Sequence, residues 1–153
     1  MINIDSYKLV NVTENDCDLI FQWSNDKDVR LNSFNSNPIK YEDHIKWFKD
    51  KMKSNDSIMY IFKVCDGKVG LIRLDKLENN TYIINYSIAR EHREKGYATI
   101  LLRLVKEKYK DSFLIGKVKK ENIASIKAFI KAEYIMKEKL DMYIFYSSNK
   151  EEL

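Results

Sequence analysis

Midway along the chain an apolar, β-branched run from Tyr82 to Ile88 gives way to a polar turn and then to an apolar helix, Thr99-Ile100-Leu101-Leu102-Arg103-Leu104-Val105. The first run reads as a strand, so the backbone passes from strand to helix through Ala89-Arg90-Glu91-His92-Arg93-Glu94-Lys95-Gly96-Tyr97-Ala98. Small residues at the fourth and sixth positions of Arg93-x-x-Gly96-x-Ala98 let the main chain come close to a ligand and leave several N–H groups pointing outward. Those groups, at the positive end of the helix dipole, favour a phosphate or pyrophosphate. Arg93 and Lys95 add mobile positive charge at the same end. A glycine at such a junction also serves simply as a turn residue. The dinucleotide fingerprint fits poorly, because it needs three glycines opening the first βαβ unit of a parallel sheet.

The segments on either side decide what surrounds this junction. Tyr7 to Val12 alternates as a first strand, and Thr13 or Asn15 caps a helix through Leu19-Ile20-Phe21-Gln22-Trp23 that stops at Ser24-Asn25-Asp26. Asp28-Val29-Arg30 leads into an irregular polar stretch, Leu31 to Pro38, of a kind retained for function. A second helix runs from about Tyr41 to Met52, with Ile45, Trp47, Phe48 and Met52 on its apolar side. Ile58 to Cys65, a turn at Asp66-Gly67, and Val69 to Leu74 make a hairpin. Asn79-Asn80 then turns the chain into the strand ending at Ile88.

After the central junction the helix continues to about Tyr109, and Phe113 to Val118 is a strand. Glu121-Asn122 caps a helix with Ile123, Ile126, Phe129 and Ile130 on one face, and Tyr134–Lys139 with Met142–Tyr146 closes the chain as a hairpin. The order β-αα-βββ-α-β-α-ββ specifies an α/β (α+β) domain. A mixed, mostly antiparallel sheet of six to seven strands is flanked by four helices.

At 153 residues the chain reads as a single domain, 1–153. It contains no run near the roughly 18 apolar residues of a membrane span. Met1-Ile2-Asn3-Ile4-Asp5 lacks a basic segment and an apolar core, so no secretory signal is read there and a cytoplasmic location is expected. Cys17 and Cys65 read as buried small hydrophobes in a reducing compartment. The formal net charge of +4 is spread among acidic residues and gives no nucleic-acid footprint. Lys117, Lys119 and Lys120 form a local excess suited to an anionic cofactor. No metal is implied, since His44 and His92 have no partner at ligand spacing.

Arg93-x-x-Gly96-x-Ala98 after the last strand of a meander resembles the GNAT acetyltransferase superfamily. The downstream helix Asn122-Ile123-Ala124-Ser125-Ile126-Lys127-Ala128-Phe129-Ile130-Lys131 resembles that superfamily's Asn-x-x-(Ala/Ser)-Ile-x-x-(Tyr/Phe)-x-Lys pattern, and the likeness spans about residues 5–147. Trp23-Ser24-Asn25-Asp26-x-x-Val29-Arg30, Glu42-Asp43-His44-x-x-Trp47-Phe48 and Gly70-x-Ile72-Arg73-Leu74 resemble a narrower group, which acetylates the 4-amino group of nucleotide-linked amino sugars in pseudaminic-acid-type pathways. Related sequences acetylate protein N-termini.

The resemblance implies a sheet that splays beside the strand ending at Ile88, with acetyl-CoA wedged in the gap. Ile88 and Ala89 are then expected to bond the pantetheine arm, with the Ile88 N–H polarising the thioester carbonyl. Backbone N–H groups of Arg93, Glu94, Lys95, Gly96, Tyr97, Ala98 and Thr99 cradle the pyrophosphate. Asn122, Ser125 and Phe129 contact the pantetheine side, and Lys131 reaches the nucleotide end. The superfamily's usual acid, a tyrosine, falls at Phe129, and a carboxylate base used by some relatives falls at Lys117. Tyr86, on one strand face with Tyr82 that is expected to line the substrate side, is therefore the first candidate for the proton work, and His44 the second. Trp23, Arg30, Trp47 and Arg73 are candidates for the acceptor, because aromatics stack on a base and arginine grips phosphates.

Three functions follow from these residues. The first is an acetyl-CoA-dependent N-acetyltransferase for a small, nucleotide-linked amine, working without nucleic acid or membrane and with homodimerisation open. The second is a protein N-terminal acetyltransferase. The third is an acyl-CoA-binding module that transfers nothing.

Overall fold

A run such as Ser57–Val64, apolar at almost every position, needs cover on both faces of its sheet. The computed structural model describes residues 6–149, so the expectations for Met1–Asp5 and for the last residues of the tail lie outside the described residues. Strand β1 (Tyr7–Asn11) precedes helices α1 (Cys17–Ser24), α2 (Lys27–Asn32) and α3 (Tyr41–Lys53). The meander follows as β2 (Ser57–Val64), β3 (Gly67–Glu78) and β4 (Thr81–Ile88), and then α4 (Tyr97–Lys108), β5 (Phe113–Lys119) and α5 (Ile123–Lys131). Strands β6 (Ile135–Glu138) and β7 (Met142–Tyr146) end the described chain.

The seven strands form one sheet in the order β1-β2-β3-β4-β5-β7-β6. Every neighbouring pair is antiparallel except β4 and β5. That parallel pair is joined only from Thr81–Phe113 to Ile84–Gly116. β4 continues to Ile88 still paired with β3, while β5 continues to Lys119 paired with β7, so the sheet forks between them.

Side-chain alternation sorts the strands onto two cores. Phe62, Ile72, Leu74, Ile84 and Ile88 pack against Leu101, Leu102 and Val105 of α4 and Ala128 and Phe129 of α5. On the opposite face Met59, Ile61 and Leu71 meet Ile20 and Trp23 of α1 and Phe48 of α3. Gly116 permits the closest approach. A Cβ there would lie 2.5 Å from Phe129 Cζ, so only glycine lets the ring settle on β5 and stack on Phe145 at 4.7 Å.

The structure departs from the sequence reading in several places. The first helix stops at Ser24 as expected, but Asp26 then opens another: its carboxylate accepts the Asp28 and Val29 N–H groups and starts α2, a fifth α-helix among the described residues. A helix of six residues has no apolar period to reveal it. Cys65 is exposed and Cys17 only half-buried. Cys65 belongs to the β2–β3 turn, with a left-handed φ of 55°, one residue earlier than the Asp-Gly pair suggests. In α3 the buried residues are His44 and Phe48, and Met52 faces solvent. In α5 the buried residues are Ser125, Ala128 and Phe129, whereas Ile123 and Ile130 are exposed.

Candidate active site

The fork between β4 and β5 opens into a cleft of about 710 Å³. Its walls come from β4, β5, the turn before α4, the first turn of α4, α5, and α2 with the residues after it. On β4, Ile88 lies opposite Gly70 of β3, and the flanking Ala89 N–H donates to Val69 O at 2.8 Å. An antiparallel ladder alternates, so the N–H and C=O groups of Ile88 and Tyr86 point away from β3, toward the gap that β5 has left. Ala89 is different. Its N–H is taken by Val69, its carbonyl accepts from His92 N, and it is buried, so it offers nothing to a ligand in the cleft.

The turn that follows has the geometry of an anion nest. Glu94 has φ 63° and Gly96 φ 80°, so successive peptide N–H groups curl inward in a concave nest. No side chain caps α4, and the N–H groups of its first turn face the same place. Arg93, Glu94, Gly96, Tyr97, Ala98 and Thr99 line the cleft, and Lys95 lies off its wall. Arg93 is not a mobile charge. Its guanidinium donates to Ile88 O at 3.0 Å and pairs with Asp26 at 3.1 Å and Asp28 at 3.4 Å. Arg90 holds the same two carboxylates at 2.8 and 3.1 Å, tying α2 to the end of β4.

Helix α5 supplies the opposite wall. Asn122 caps it, accepting the Ser125 N–H at 3.3 Å through its carbonyl oxygen. Asn122, Ser125, Phe129 and Lys131 all line the cleft, as does Lys127, which the sequence reading passed over. The Tyr86 hydroxyl shares a hydrogen bond of 2.8 Å with Ser125 Oγ, and its ring meets the Phe129 ring edge-on at 5.9 Å. Its hydroxyl sits deep, and burial pushes the phenol's pKa up to about 12 against the opposing pull of Ser125. The residues present thus fit a long phosphorylated thioester: a nest for a pyrophosphate, a strand edge for an extended amide-bearing arm, and lysines beyond.

Strand parity also reassigns the acceptor side. Tyr82 and Tyr86 share the face that packs on α4 and α5, and Tyr82 turns to Tyr109 instead of the cleft. The face toward α2 carries Asn85 and Ser87 of β4 and Lys117 of β5, with Asn32, Ser33 and the exposed Phe34 across the opening. Counting the alternate residues of β4 finds Asn85 and Ser87 directly in the sequence. Asn32 and Phe34 carry no local signal.

The remaining sequence candidates lie elsewhere. His44 is 2% exposed, bonds Cys17 O through Nε2 at 2.8 Å and lies among Phe21, Trp47 and Phe48, outside the cleft. Arg30 gives its guanidinium to Ser24 O, Asn35 O, Asn37 O and Ser33 Oγ, holding the loop after α2 instead of a phosphate. Trp23 belongs to the second core and touches only a smaller recess of about 190 Å³ behind Ala89. Trp47 packs on that core with Arg73 5.2 Å above its ring, and Arg73 Nε is bonded to Asp75. Among the described residues no group of His, Cys, Asp or Glu is arranged to hold a metal ion, and no helix is long and apolar enough to cross a membrane.

Comparison with known proteins agrees with this geometry. The family model "Acetyltransferase (GNAT) domain" matches residues 7–134. No curated protein matches the sequence. Among solved structures, spermidine N-acetyltransferase from Vibrio cholerae in complex with CoA and spermine superposes with a TM-score of 0.83 at 14% identity, covering 93% of this chain and 95% of that one. The ribosomal L7/L12 alpha-N-protein acetyltransferase in complex with coenzyme A has a TM-score of 0.77 at 15% identity, covering 92% and 93%. AAC(6')-Ib in complex with paromomycin and acetyl-CoA has a TM-score of 0.80 at 14% identity, covering 93% and 92%. At such identities the likeness is one of fold. The family match over most of the chain, on a sheet forked beside an uncapped helix, makes this protein a member of the GNAT acetyltransferase family and an N-acetyltransferase that uses acetyl-CoA.

Proposed function

We propose that the protein transfers the acetyl group of acetyl-CoA directly to the 4-amino group of a nucleotide-linked amino sugar. When bound, acetyl-CoA supplies an activated thioester, and the chain supplies position and proton management. In this reading the nest at Glu94–Gly96 and the first turn of α4 hold the pyrophosphate. The Ile88 N–H, turned into the fork, polarises the thioester carbonyl. A neutral amine entering over Asn85 and Ser87 attacks the carbonyl carbon and the C–S bond breaks; one proton leaves the nitrogen and one reaches the departing thiolate, the first returning through water to the group that gave the second. The Tyr86–Ser125 hydroxyl pair stands beside Phe129, the position of the superfamily's usual tyrosine, and carries the second of these protons.

The acceptor assignment rests chiefly on one observation. The wall facing α2 presents amides, hydroxyls, Lys117 and the exposed ring of Phe34, groups that suit a polar sugar joined to a base and phosphates. Release of free CoA, followed with a nucleotide-linked 4-amino sugar, spermidine and an N-terminal peptide in parallel, tests this reading. The sugar is expected to be the best acceptor. Turnover of the peptide with none of the sugar would instead establish a protein N-terminal acetyltransferase.

A further inference from the structure

On the acceptor face three side chains form a row across neighbouring strands. Arg73 of β3 is the register partner of Asn85 of β4, so their side chains share a face. Lys117 of β5 stands one residue beyond the last β4–β5 pair, Ile84–Gly116. Gly116 faces α5, where Phe129 covers it, so Lys117 faces the other way, on the side of Arg73 and Asn85. The neighbouring Lys119 confirms the direction, its ammonium donating to Leu31 O of α2 at 3.1 Å. Asn85 and Lys117 are both exposed and both line the cleft. Strand spacing sets each about 4.8 Å from the next across an intact sheet, and the fork widens the last interval.

In this row Arg73 is already paired with Asp75, at 2.9 Å, and the exposed ammonium is that of Lys117. Asp28 is the carboxylate of the cleft wall on the α2 side, and Arg90 and Arg93 already hold it. Glu94 lies at the other end, in the turn before α4. Of the two carboxylates that line the cleft Asp28 is therefore already held, and the exposed Lys117 puts a positive charge on the acceptor wall beside Asn85.

We propose that Lys117 and Asn85 form an anion-recognising row that restricts the acceptor to amines carrying a phosphate or carboxylate and discriminates against polyamines. The inference rests on the acetyl-transfer reading above and narrows its substrate class. An anionic group bound between the ammonium and the amide gains charge-assisted hydrogen bonds. A polycation brought to the same place meets the like charge of Lys117.

Matched acceptors separate the two sources of negative charge: glucosamine with glucosamine 1-phosphate for phosphate, and glycinamide with glycine for carboxylate, with spermidine as the polycation. Steady-state kinetics with acetyl-CoA are expected to favour the anionic member of at least one pair by about tenfold in kcat/KM, carried by KM, the effect of one charge-assisted contact. Lys117→Glu is expected to erase or invert that preference while the variant keeps its thermal response to acetyl-CoA. In parallel, the side-chain amide resonance of Asn85 in the CoA-bound protein is expected to move with glucosamine 1-phosphate and not with glucosamine. A resonance shift without turnover of any sugar would keep the anion row and overturn the sugar reading. Turnover of spermidine with no Asn85 shift would keep acetyl transfer and overturn the row. Equal rates within both pairs, unchanged by Lys117→Glu, would also overturn it.

Discussion

Phe129 and Tyr86 carry the proposed proton route. The position on α5 where the superfamily ordinarily keeps a tyrosine holds a phenylalanine, stacked on Phe145 and resting on Gly116, with no oxygen to offer. Tyr134 lies closest to that ring, at 5.0 Å, but its hydroxyl donates to Leu102 O and does not line the cleft; the phenol that does comes from β4, where Tyr86 meets the same ring and bonds Ser125. With its pKa pushed up to about 12, this phenol is a neutral donor through about pH 10. Tyr86→Phe keeps the ring contacts and deletes the donor, so kcat is expected to fall by about 10²-fold with the KM for acetyl-CoA little changed. An unaltered kcat would remove Tyr86 from the proton path. The sequence could nominate Tyr86, because alternation along β4 is visible in the letters, but the face it occupies is set by which helices cover the sheet. His44 and Arg30 failed as candidates for a related reason. A histidine among aromatics and an arginine in a polar loop look chemically free in a sequence, and only their partners, Cys17 O for the one and the carbonyls of Ser24, Asn35 and Asn37 for the other, show that they are spent.

Beyond the two cores, three aspartates tie elements to one another. Asp16, before α1, accepts Lys68 of β3 at 2.6 Å and the Thr13 N–H at 2.9 Å. Asp26 caps α2 and takes Arg90 and Arg93. Asp75 of β3 takes Lys51 of α3, Arg73 and Ser57 Oγ. In each, burial alone would raise the pKa, and the cationic and hydrogen-bonding partners outweigh it, leaving the carboxyl below its ordinary value. A depressed folded-state pKa contributes stability that is complete above the unfolded value, about 4, and is lost as pH falls through the folded one. The melting temperature is therefore expected to drop between about pH 5 and pH 3, and to drop less in Asp16→Asn or Asp75→Asn proteins than in the wild type. A melting temperature flat across that interval would contradict these assignments. Most elements were legible because length and apolar period announce them; α2 was not, since its six residues are fixed by a cap and by arginines more than sixty residues away in sequence.

For the whole molecule the central feature is the fork, where a sheet continuous from β1 to β4 opens before β5 beside the bare N-terminus of α4. The strand–turn–helix was legible in the sequence because a glycine between an apolar strand and an apolar helix has few uses. The acceptor side was not, because it is assembled from single residues of β4, β5 and α2 that no local pattern links. Thermal unfolding with acetyl-CoA, with free CoA and NADH alongside, tests the central feature most directly. At a hundredfold excess over its Kd, acetyl-CoA should stabilise the protein by about 2.7 kcal/mol, a rise of roughly 5–10 °C for a domain of this size. NADH should give none. The rise should vanish in Gly96→Asp, where the side chain meets a φ of 80° and its charge faces the phosphates. No rise with either form of CoA in a folded protein, or an equal rise in Gly96→Asp, would contradict the assignment of the cofactor to this fork.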